Sequence, residues 1–334
     1  MITRAASIPT VTTGARVPRT TSLHVFCVVL VVAVAARPLL AGAAAAPGLR
    51  TAATVFVAVC LQALPFLVGG VLLSGLIAAF VSPAALRRVL PRSPVAAVPV
   101  AAAAGLVLPG CECASVPVAR RLIGQGVPDA AALAFLLAAP AVNPVVLVAT
   151  AVAFPGEPRM VLARFLGSLA TACAMGLLWQ RAGRAEWIAG RARRPATAGP
   201  GGRWAVLAET ARHDLVSAGG FLVLGALAAA TLSVLVPPAW VEALAGRLLL
   251  AVVVMAVLAV ALALCSEADA FVAASLTALP LLPRLVFLVV GPAVDVKLVA
   301  LQAGAFGPAF AARFAPAAFV VAVLSACAAG WAVL

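Results

Sequence analysis

The chain has 334 residues, of which 65% are hydrophobic and only 10% are charged, and its mean hydropathy is +1.19. A soluble domain carries about 25% charged residues, so this composition excludes a soluble fold and requires lipid as the solvent. The net charge of +13 comes almost entirely from arginines between apolar segments, which indicates membrane topology and contact with lipid headgroups and argues against nucleic acid as a partner.

The chain begins with a polar, basic stretch, residues 1–21, followed by an apolar segment from 23 to about 40. This segment is predicted to be either a retained first transmembrane helix or a cleaved signal-like segment. The long polar stretch before it, and the further span directly after it, favour the retained helix. Residues 1–50 therefore form the first predicted unit, a basic tail with one helix.

Eight further apolar segments follow, at approximately 52–81, 95–110, 128–154, 160–179, 214–236, 246–265, 284–306 and 314–334. An arginine-rich stretch, 181–212, separates them into two groups and is predicted to be a cytoplasmic loop. Residues 51–180 then form membrane repeat A, and residues 213–334 form membrane repeat B. The predicted fold class is an all-α, polytopic transmembrane helical bundle.

The two groups resemble each other in sequence. The matched pairs are Cys113 and Cys265, Pro140 and Pro292, and Asn143 and Asp295 at an offset of 152, and Gly70 and Gly220 at an offset of 150. Two apolar segments often match by chance, so the evidence for a repeat comes from the matched cysteine, glycine, proline and Asn/Asp positions. Duplicated halves are common in secondary transporters.

Charge predicts how the halves are oriented. Arginines place the turn at 82–93 and the loop at 181–212 on the cytoplasmic side, so an even number of crossings must lie between them. The 95–110 segment reaches only about 24 Å as a helix, so it is predicted to be re-entrant and to return through residues 114–125. Each repeat then has an odd number of crossings, and the second repeat is predicted to be inverted relative to the first. The parity also holds if both limbs cross fully.

The first candidate site is Cys111-Glu112-Cys113, at the point where an apolar segment ends and a short helix should begin. Backbone N–H groups at a helix start favour a thiolate, and soft thiolates select thiophilic ions. The alternative is that these cysteines are small apolar residues at a helix interface.

The second candidate site, at the matching place in the other half, contains Cys265, Glu267 and Asp269 directly after a long apolar segment. An ionisable group at membrane depth costs about 2.5–3.5 kcal/mol on insertion scales and usually faces a cavity or a partner. The alternative is that these acids complement the dipole of a helix that begins here.

The third candidate site is a pair of interrupted helices. Prolines and polar residues lie inside two long apolar segments: Pro140, Asn143 and Pro144 in one, and Pro292, Asp295 and Lys297 in the other. A proline removes a helical hydrogen bond, and breaks at matching places in two halves indicate a binding site at the bilayer midplane. Lys297 is expected to pair with Glu267, Asp269 or Asp295. The alternative is a pair of kinks that serve helix packing.

His24 and His213 have no neighbouring ligand at metal spacing, and no nucleotide-binding or hydrolase motif occurs. We therefore expect neither a metal nor a cofactor, and no enzymatic activity. An intramembrane hydrolase using Asp269 and Asp295 is an alternative, which the lack of a Gly-x-Gly-Asp motif disfavours.

With these motifs the chain resembles the ArsP-type permease family over roughly residues 50–334. The matching features are Gly110-Cys111-Glu112-Cys113, Gly126-Val127-Pro128, Ala134–Pro140 with Asn143-Pro144, Leu264–Phe271, and Gly291-Pro292 with Asp295 and Lys297. The resemblance implies a multi-pass permease of the bacterial inner membrane. Some members of the family export trivalent organoarsenicals such as methylarsenite, and some resemble one subunit of a two-component membrane permease complex.

The resemblance leads to a mechanistic hypothesis. The substrate would bind at the three thiols and the helix breaks, namely Cys111, Cys113, Cys265, Pro140, Asn143 and Pro292. Glu267, Asp269, Asp295 and Lys297 would carry protons or ions, because no ATP-binding element is present to supply energy. Glu112 departs from the family pattern, and an acid at this position disfavours an anionic substrate. The non-transporting alternative is a membrane subunit that anchors a partner.

Overall fold

The structure is a computed structural model and describes residues 47–80, 91, 93–106, 112–192, 202–235 and 247–334. Within these ranges every regular element is helical. The helices are α1 (Pro47–Phe80), α2 (Pro94–Ala104), α3 (Glu112–Gly124), α4 (Asp129–Val142), α5 (Pro144–Ala153), α6 (Pro158–Ala182), α7 (Gly202–Leu235), α8 (Leu248–Leu262), α9 (Ser266–Ser275), α10 (Leu281–Ala293), α11 (Val296–Phe306) and α12 (Pro308–Val333). Two short 3₁₀ turns, Ala185–Trp187 and Gly190–Ala192, follow α6. The predicted N-terminal helix lies outside the described residues.

The predicted all-α membrane fold is confirmed. In the described part of the chain, five segments are long and apolar enough to cross a membrane: Gly48–Ile77, Asp129–Ala153, Pro158–Ala182, Leu281–Phe306 and Pro308–Val333. Two of them, Asp129–Ala153 and Leu281–Phe306, are 78% and 83% buried, whereas the other three are 22–44% buried. The bundle therefore has these two segments at its centre and presents the others to lipid.

The helices follow the same order in both halves of the chain. Helices α1 to α6 have 34, 11, 13, 14, 10 and 25 residues. Helices α7 to α12 have 34, 15, 10, 13, 11 and 26 residues. This succession of long, short and long helices is what a duplicated chain predicts.

Matching helices of the two halves pack antiparallel. The start of α1 lies against the end of α7 at Gly48 and Val234. At the other end of this pair, the rings of Phe80 and Trp204 have centroids 5.4 Å apart. Helix α6 meets α12 in the same way, since Gly167 of α6 lies against Ala326 in the second half of α12. The ring of Trp179 near the end of α6 lies 5.3 Å from that of Phe310 near the start of α12. This packing supports the inverted repeat, which stays a prediction.

The loop predicted at 181–212 is shorter than expected, because α7 begins at Gly202 and residues 202–212 are helical. The loop was predicted from arginine content, but these residues also include alanine, leucine and glutamate, which favour helix. Glu209 and Arg212 form an exposed ion pair of 2.6 Å on this first part of α7. Residues 193–201 lie outside the described part of the chain.

Helix α2 is too short to cross the membrane, since its 11 residues extend about 16 Å. It ends at Ala104, and the next described helix, α3, begins at Glu112. This length is consistent with a re-entrant segment, and the path itself stays a prediction because residues 107–111 are outside the described part.

Candidate functional site

Both central segments are broken helices, as the prolines predict. Between α4 and α5, the Asn143 side chain accepts a hydrogen bond of 3.0 Å from the Val146 N–H and donates one of 3.0 Å to the Ala139 carbonyl. Between α10 and α11, the Asp295 carboxylate accepts a hydrogen bond from the Leu298 N–H. Each residue caps the second helix of its pair, because the first N–H groups of a helix have no partner within it.

The two prolines lie inside the first helix of each pair, three residues ahead of the capping residue. Pro140 is part of α4 and Pro292 is part of α10, and both are buried. Because proline has no N–H, each weakens its helix about one turn before the break. The hydrogen bonds of the Asn143 side chain stabilise the break between α4 and α5. Contact between Asn143 and the substrate stays a prediction.

A buried ion pair joins the two halves at these breaks. The Lys297 ammonium on α11 pairs with the Glu112 carboxylate at the start of α3. The second neighbouring acid is Asp295, whose Oδ2 lies 3.9 Å from Lys297 Nζ. The exposed fraction of all three side chains is 1% or less. An unpaired charge at this depth costs several kcal/mol, so the pairing is a condition for the fold.

Lys297 pairs with one of the acids expected from the sequence, but its nearest partner is a different one. Of the three expected acids, Asp295 lies within ion-pair distance, whereas Glu267 and Asp269 interact with Lys297 only over longer electrostatic range. Its nearest partner is Glu112, because α3 packs against α11. Pairing between helices from different halves depends on tertiary register, which spacing along the chain does not contain.

A second buried cluster forms around Arg164 of α6. Its Nη1 donates a 2.7 Å hydrogen bond to Thr150 Oγ1 on α5, and its Nη2 donates one of 2.8 Å to the Ser266 carbonyl at the start of α9. The Arg164 side chain is completely buried and interacts electrostatically with Asp269 and Glu267. One guanidinium thus ties α5 of the first half to α9 of the second.

Arg164 was not predicted as a site residue, although the sequence contains a usable signal for it. An ionisable residue inside an apolar segment is a functional candidate by default. Arg164 lies near the start of the 160–179 segment, where an arginine normally extends towards the headgroups. The structure instead turns it inwards, with no solvent exposure.

The two clusters belong to one electrostatic network. Glu112 interacts with both Glu267 and Asp269, and Asp269 also interacts with Asp295. The members are four acids, Glu112, Glu267, Asp269 and Asp295, and two bases, Arg164 and Lys297. With all groups ionised, the formal charge is −4 + 2, or −2.

Several buried oxygens of this network have no hydrogen-bond partner among the described residues. They include Asp269 Oδ2, Asp295 Oδ2 and both carboxylate oxygens of Glu267, and the neighbouring Ser266 Oγ also has no such partner. Asp269 Oδ2 lies against Gly291 of α10, one residue before Pro292. Buried acceptors in such numbers are unusual in a folded core. They mark a place that can receive protons or the polar groups of a small solute.

Two of the predicted cysteines lie beside the ion pair. Cys113 is in the first turn of α3 and Cys265 directly precedes α9, and both are buried. Each lies close enough to Lys297 to interact with it electrostatically. Cys111, the third predicted thiol, is outside the described residues. Within the described ranges, no group of three or more His, Cys, Asp or Glu side chains is arranged to hold a metal ion.

The remaining described cysteines are elsewhere. Cys60, Cys173 and Cys327 lie on α1, α6 and α12, and each is only partly buried. These helices form the outer part of the bundle, so the buried pair Cys113 and Cys265 is distinct from them in both depth and charge environment. This contrast makes Cys173 a suitable control in experiments on the two buried thiols.

Comparison with known proteins extends over nearly the whole described region. The family ArsP_1, described as "Predicted permease", matches residues 48–331. A "Putative two-component membrane permease complex subunit" of Streptococcus mutans is 31% identical over 268 residues, which cover 78% of this chain and 88% of that protein. The "UPF0718 protein YcgR" of Bacillus subtilis is 33% identical over 266 residues, or 77% of this chain and 89% of that protein. No solved structure matches the chain.

These similarities confirm the predicted resemblance and point to a transporter rather than an enzyme. Together with the apolar helices, they indicate a multi-pass membrane protein. The match covers both halves and every broken helix. The chain belongs to the predicted permease family ArsP_1.

Proposed function

We propose that this protein is a permease of the bacterial inner membrane that exports a small thiophilic solute, such as a trivalent organoarsenical, using an ion gradient. The observation that carries the proposal is the position of Cys113 and Cys265. Both thiols are buried at matched helix starts, and both lie in the electrostatic environment of Lys297. Soft sulfur ligands favour soft ions such as trivalent arsenic.

The chemistry of methylarsenite fits two thiols. The neutral molecule carries one methyl group and two exchangeable hydroxyl groups on arsenic. Exchange with two thiols forms two As–S bonds, and each displaced hydroxyl leaves as water with one thiol proton. The reverse exchange with water releases the solute, so the site binds and releases its cargo without an oxidant or a reductant. A neutral solute also suits a centre that contains more acids than bases, since an anion would be repelled there.

The helix breaks support a transport mechanism. In many transporters, broken helices at matching places of two repeats surround a midplane site, and one repeat moves against the other around it. Here the breaks at Asn143 and Asp295 lie in the two central, most buried segments. The division into membrane repeats A and B is therefore part of this proposal.

The acids supply the coupling in our proposal. Glu267, Asp269 and Asp295 lie in one network with Lys297. Each of these acids has at least one carboxylate oxygen that has no hydrogen-bond partner among the described residues. Ionisable groups of this kind form proton relays in membrane transporters. Protonation of one acid changes the charge that Lys297 experiences, which links a proton to a rearrangement of the two halves.

The test is a sensitivity panel in a bacterium that lacks its own metalloid exporters. Expression of the chain is expected to raise resistance to methylarsenite and phenylarsenite, and to leave the sensitivity to a non-thiophilic antibiotic unchanged. The same panel would contradict the proposed cargo if a chain that accumulates in the membrane protects against none of the thiophilic compounds.

A second candidate function is a membrane subunit of a two-component permease complex. The observation that favours it is that the Streptococcus mutans relative is described as such a subunit. Under this alternative the chain purifies with a fixed companion and is inactive without it. Flux by the chain alone in liposomes would exclude a strict requirement for the companion.

A further inference from the structure

A small pocket of about 20 Å³, room for little more than one water molecule, lies between α3, α7 and α11. Its walls are mostly apolar and include Val116 of α3, Ala218 of α7 and Leu301 of α11. Two charged side chains, Arg120 and Asp214, also line it.

The pocket runs along the helix faces that carry the central ion pair. Val116 and Arg120 are four and eight residues after Glu112, and Leu301 and Ala305 are four and eight residues after Lys297. Residues four apart lie one above the other on a helix. The pocket thus begins about 6 Å, one helical turn, from the ion pair and continues for about 6 Å more towards the other ends of both helices.

An ionic lock lies beside the far end of the pocket. The Asp214 carboxylate of α7 accepts a 2.8 Å hydrogen bond from Ser74 Oγ on α1. It also lies 3.5 Å from Arg120 Nη1 and 3.6 Å from Arg121 Nη2 on α3. One carboxylate of the second half is therefore held by three groups of the first. The arginines are partly exposed, at 21% and 13%, so solvent screens this lock more than it screens the fully buried pair.

Neighbouring segments indicate which side this lock faces. The side chain of Gln125, just after α3, donates a hydrogen bond of 3.2 Å to the Ile77 carbonyl near the end of α1. The end of α1 in turn packs on the start of α7 through Phe80 and Trp204. The arginine-rich segments 82–93 and 181–201 adjoin these helix ends, and positive charge places such segments in the cytoplasm.

We infer that this pocket is the cytoplasmic access path by which a small uncharged solute reaches the Glu112–Lys297 centre, with Asp214, Arg120 and Arg121 as its gate. The inference rests on the proposed transport function. The apolar walls suit an uncharged solute, and in this structure the path is closed to anything much larger than water. The gate joins the two halves, so their relative movement opens and closes the path.

The test measures water access rather than flux. Leu301→Cys and Ala305→Cys are introduced separately into the full chain, and membrane vesicles of known orientation receive a charged, membrane-impermeant thiol reagent. Mass spectrometry of the peptides separates each new cysteine from the native ones. The control is Leu224→Cys on α7, where the native side chain is 59% exposed on an apolar helix surface. The Ala305→Cys variant is expected to react at least about tenfold faster than this control, and only from the cytoplasmic face.

The gate is tested in the Leu301→Cys background. Asp214→Asn, and separately Arg120→Gln, is expected to raise the labelling rate about two- to fivefold, which corresponds to losing a partly exposed ion pair. Glu209→Gln, which removes the exposed pair on the same helix, should leave the rate unchanged.

The inference fails if Ala305→Cys reacts no faster than Leu224→Cys. It fails equally if both gate variants accumulate normally and label at the unmodified rate. Labelling of the pocket without flux of any thiophilic solute would contradict the proposed function alone.

Discussion

Lys297 on α11 and Glu112 on α3 form an ion pair in which neither side chain is more than 1% exposed. They come from opposite halves of the chain and from the first turns of two helices that begin at the centre of the protein. A buried pair of this kind stabilises the fold little compared with apolar residues, but loss of one partner is costly. The pair therefore makes the correct docking of the halves a requirement rather than a preference.

Removal of one partner should be more harmful than removal of both. Lys297→Met leaves Glu112 and Asp295 without their shared cation and is expected to cost about 3–5 kcal/mol of stability. Glu112→Gln should cost less, because Asp295 remains near the ammonium. The double variant should recover part of the loss, as measured by thermal unfolding of the detergent-solubilised protein. A double-variant loss equal to the sum of the two single losses would show that the two residues act independently.

Two neighbouring glycines on α1 should respond oppositely to alanine. A Cβ at Gly70 would lie 2.4 Å from Ala114 Cα, whereas a Cβ at Gly69 meets nothing within 4 Å. Gly70→Ala must push α1 away from α3 and should cost about 1–3 kcal/mol. Gly69→Ala should be neutral or stabilising by up to about 1 kcal/mol, since alanine favours helix. The melting temperatures of the two variants test this prediction. Equal effects at both positions would contradict the close packing of α1 on α3 at Gly70.

The capping role and the charge of Asp295 can be separated. Asn is as good an N-cap as Asp, so Asp295→Asn should retain the stability of α11 while removing a negative charge. Asp295→Ala should lose about 1 kcal/mol, because the Leu298 N–H loses its acceptor. Transport by Asp295→Asn in vesicles should no longer depend on an imposed pH gradient. Unchanged gradient dependence would remove Asp295 from the coupling group.

The protein should not tolerate the replacement of Arg164 by lysine. Its two terminal nitrogens bond Thr150 and the Ser266 carbonyl in different directions, and an ammonium cannot reproduce this fork. Arg164→Lys is expected to lower both stability and transport. Thr150→Val, which removes one acceptor and keeps the shape, should cost only about 0.5–1.5 kcal/mol. The prediction is wrong if Arg164→Lys unfolds at the temperature of the unmodified protein.

The sequence predicts the helix breaks because their causes are local. A proline removes a hydrogen bond within its own helix, and Asn143 and Asp295 cap the helix that begins next to them. The matched positions of Cys113 and Cys265 are likewise visible in the chain, because a repeat leaves a constant offset. Each of these features involves residues that are close in sequence or separated by the constant offset of the repeat.

The pairing of charges could not be predicted because it is a property of the packed bundle. Lys297 contacts Glu112, 185 residues earlier, through the packing of α11 on α3. Arg164 and Asp214 each lie near the start of an apolar segment, where a charge usually faces headgroups or water. In the structure both turn towards the opposite half, to Ser266 and to Arg120. Only the docked halves reveal these directions.

The most direct test of our account is uptake of methylarsenite into everted membrane vesicles under an imposed proton gradient. We predict that vesicles with the unmodified chain accumulate the solute. The Cys113→Ser/Cys265→Ser double variant should lose this uptake, and Cys173→Ser on the outer helix α6 should retain it. Uptake by the double variant at the unmodified rate would contradict the thiol-based site.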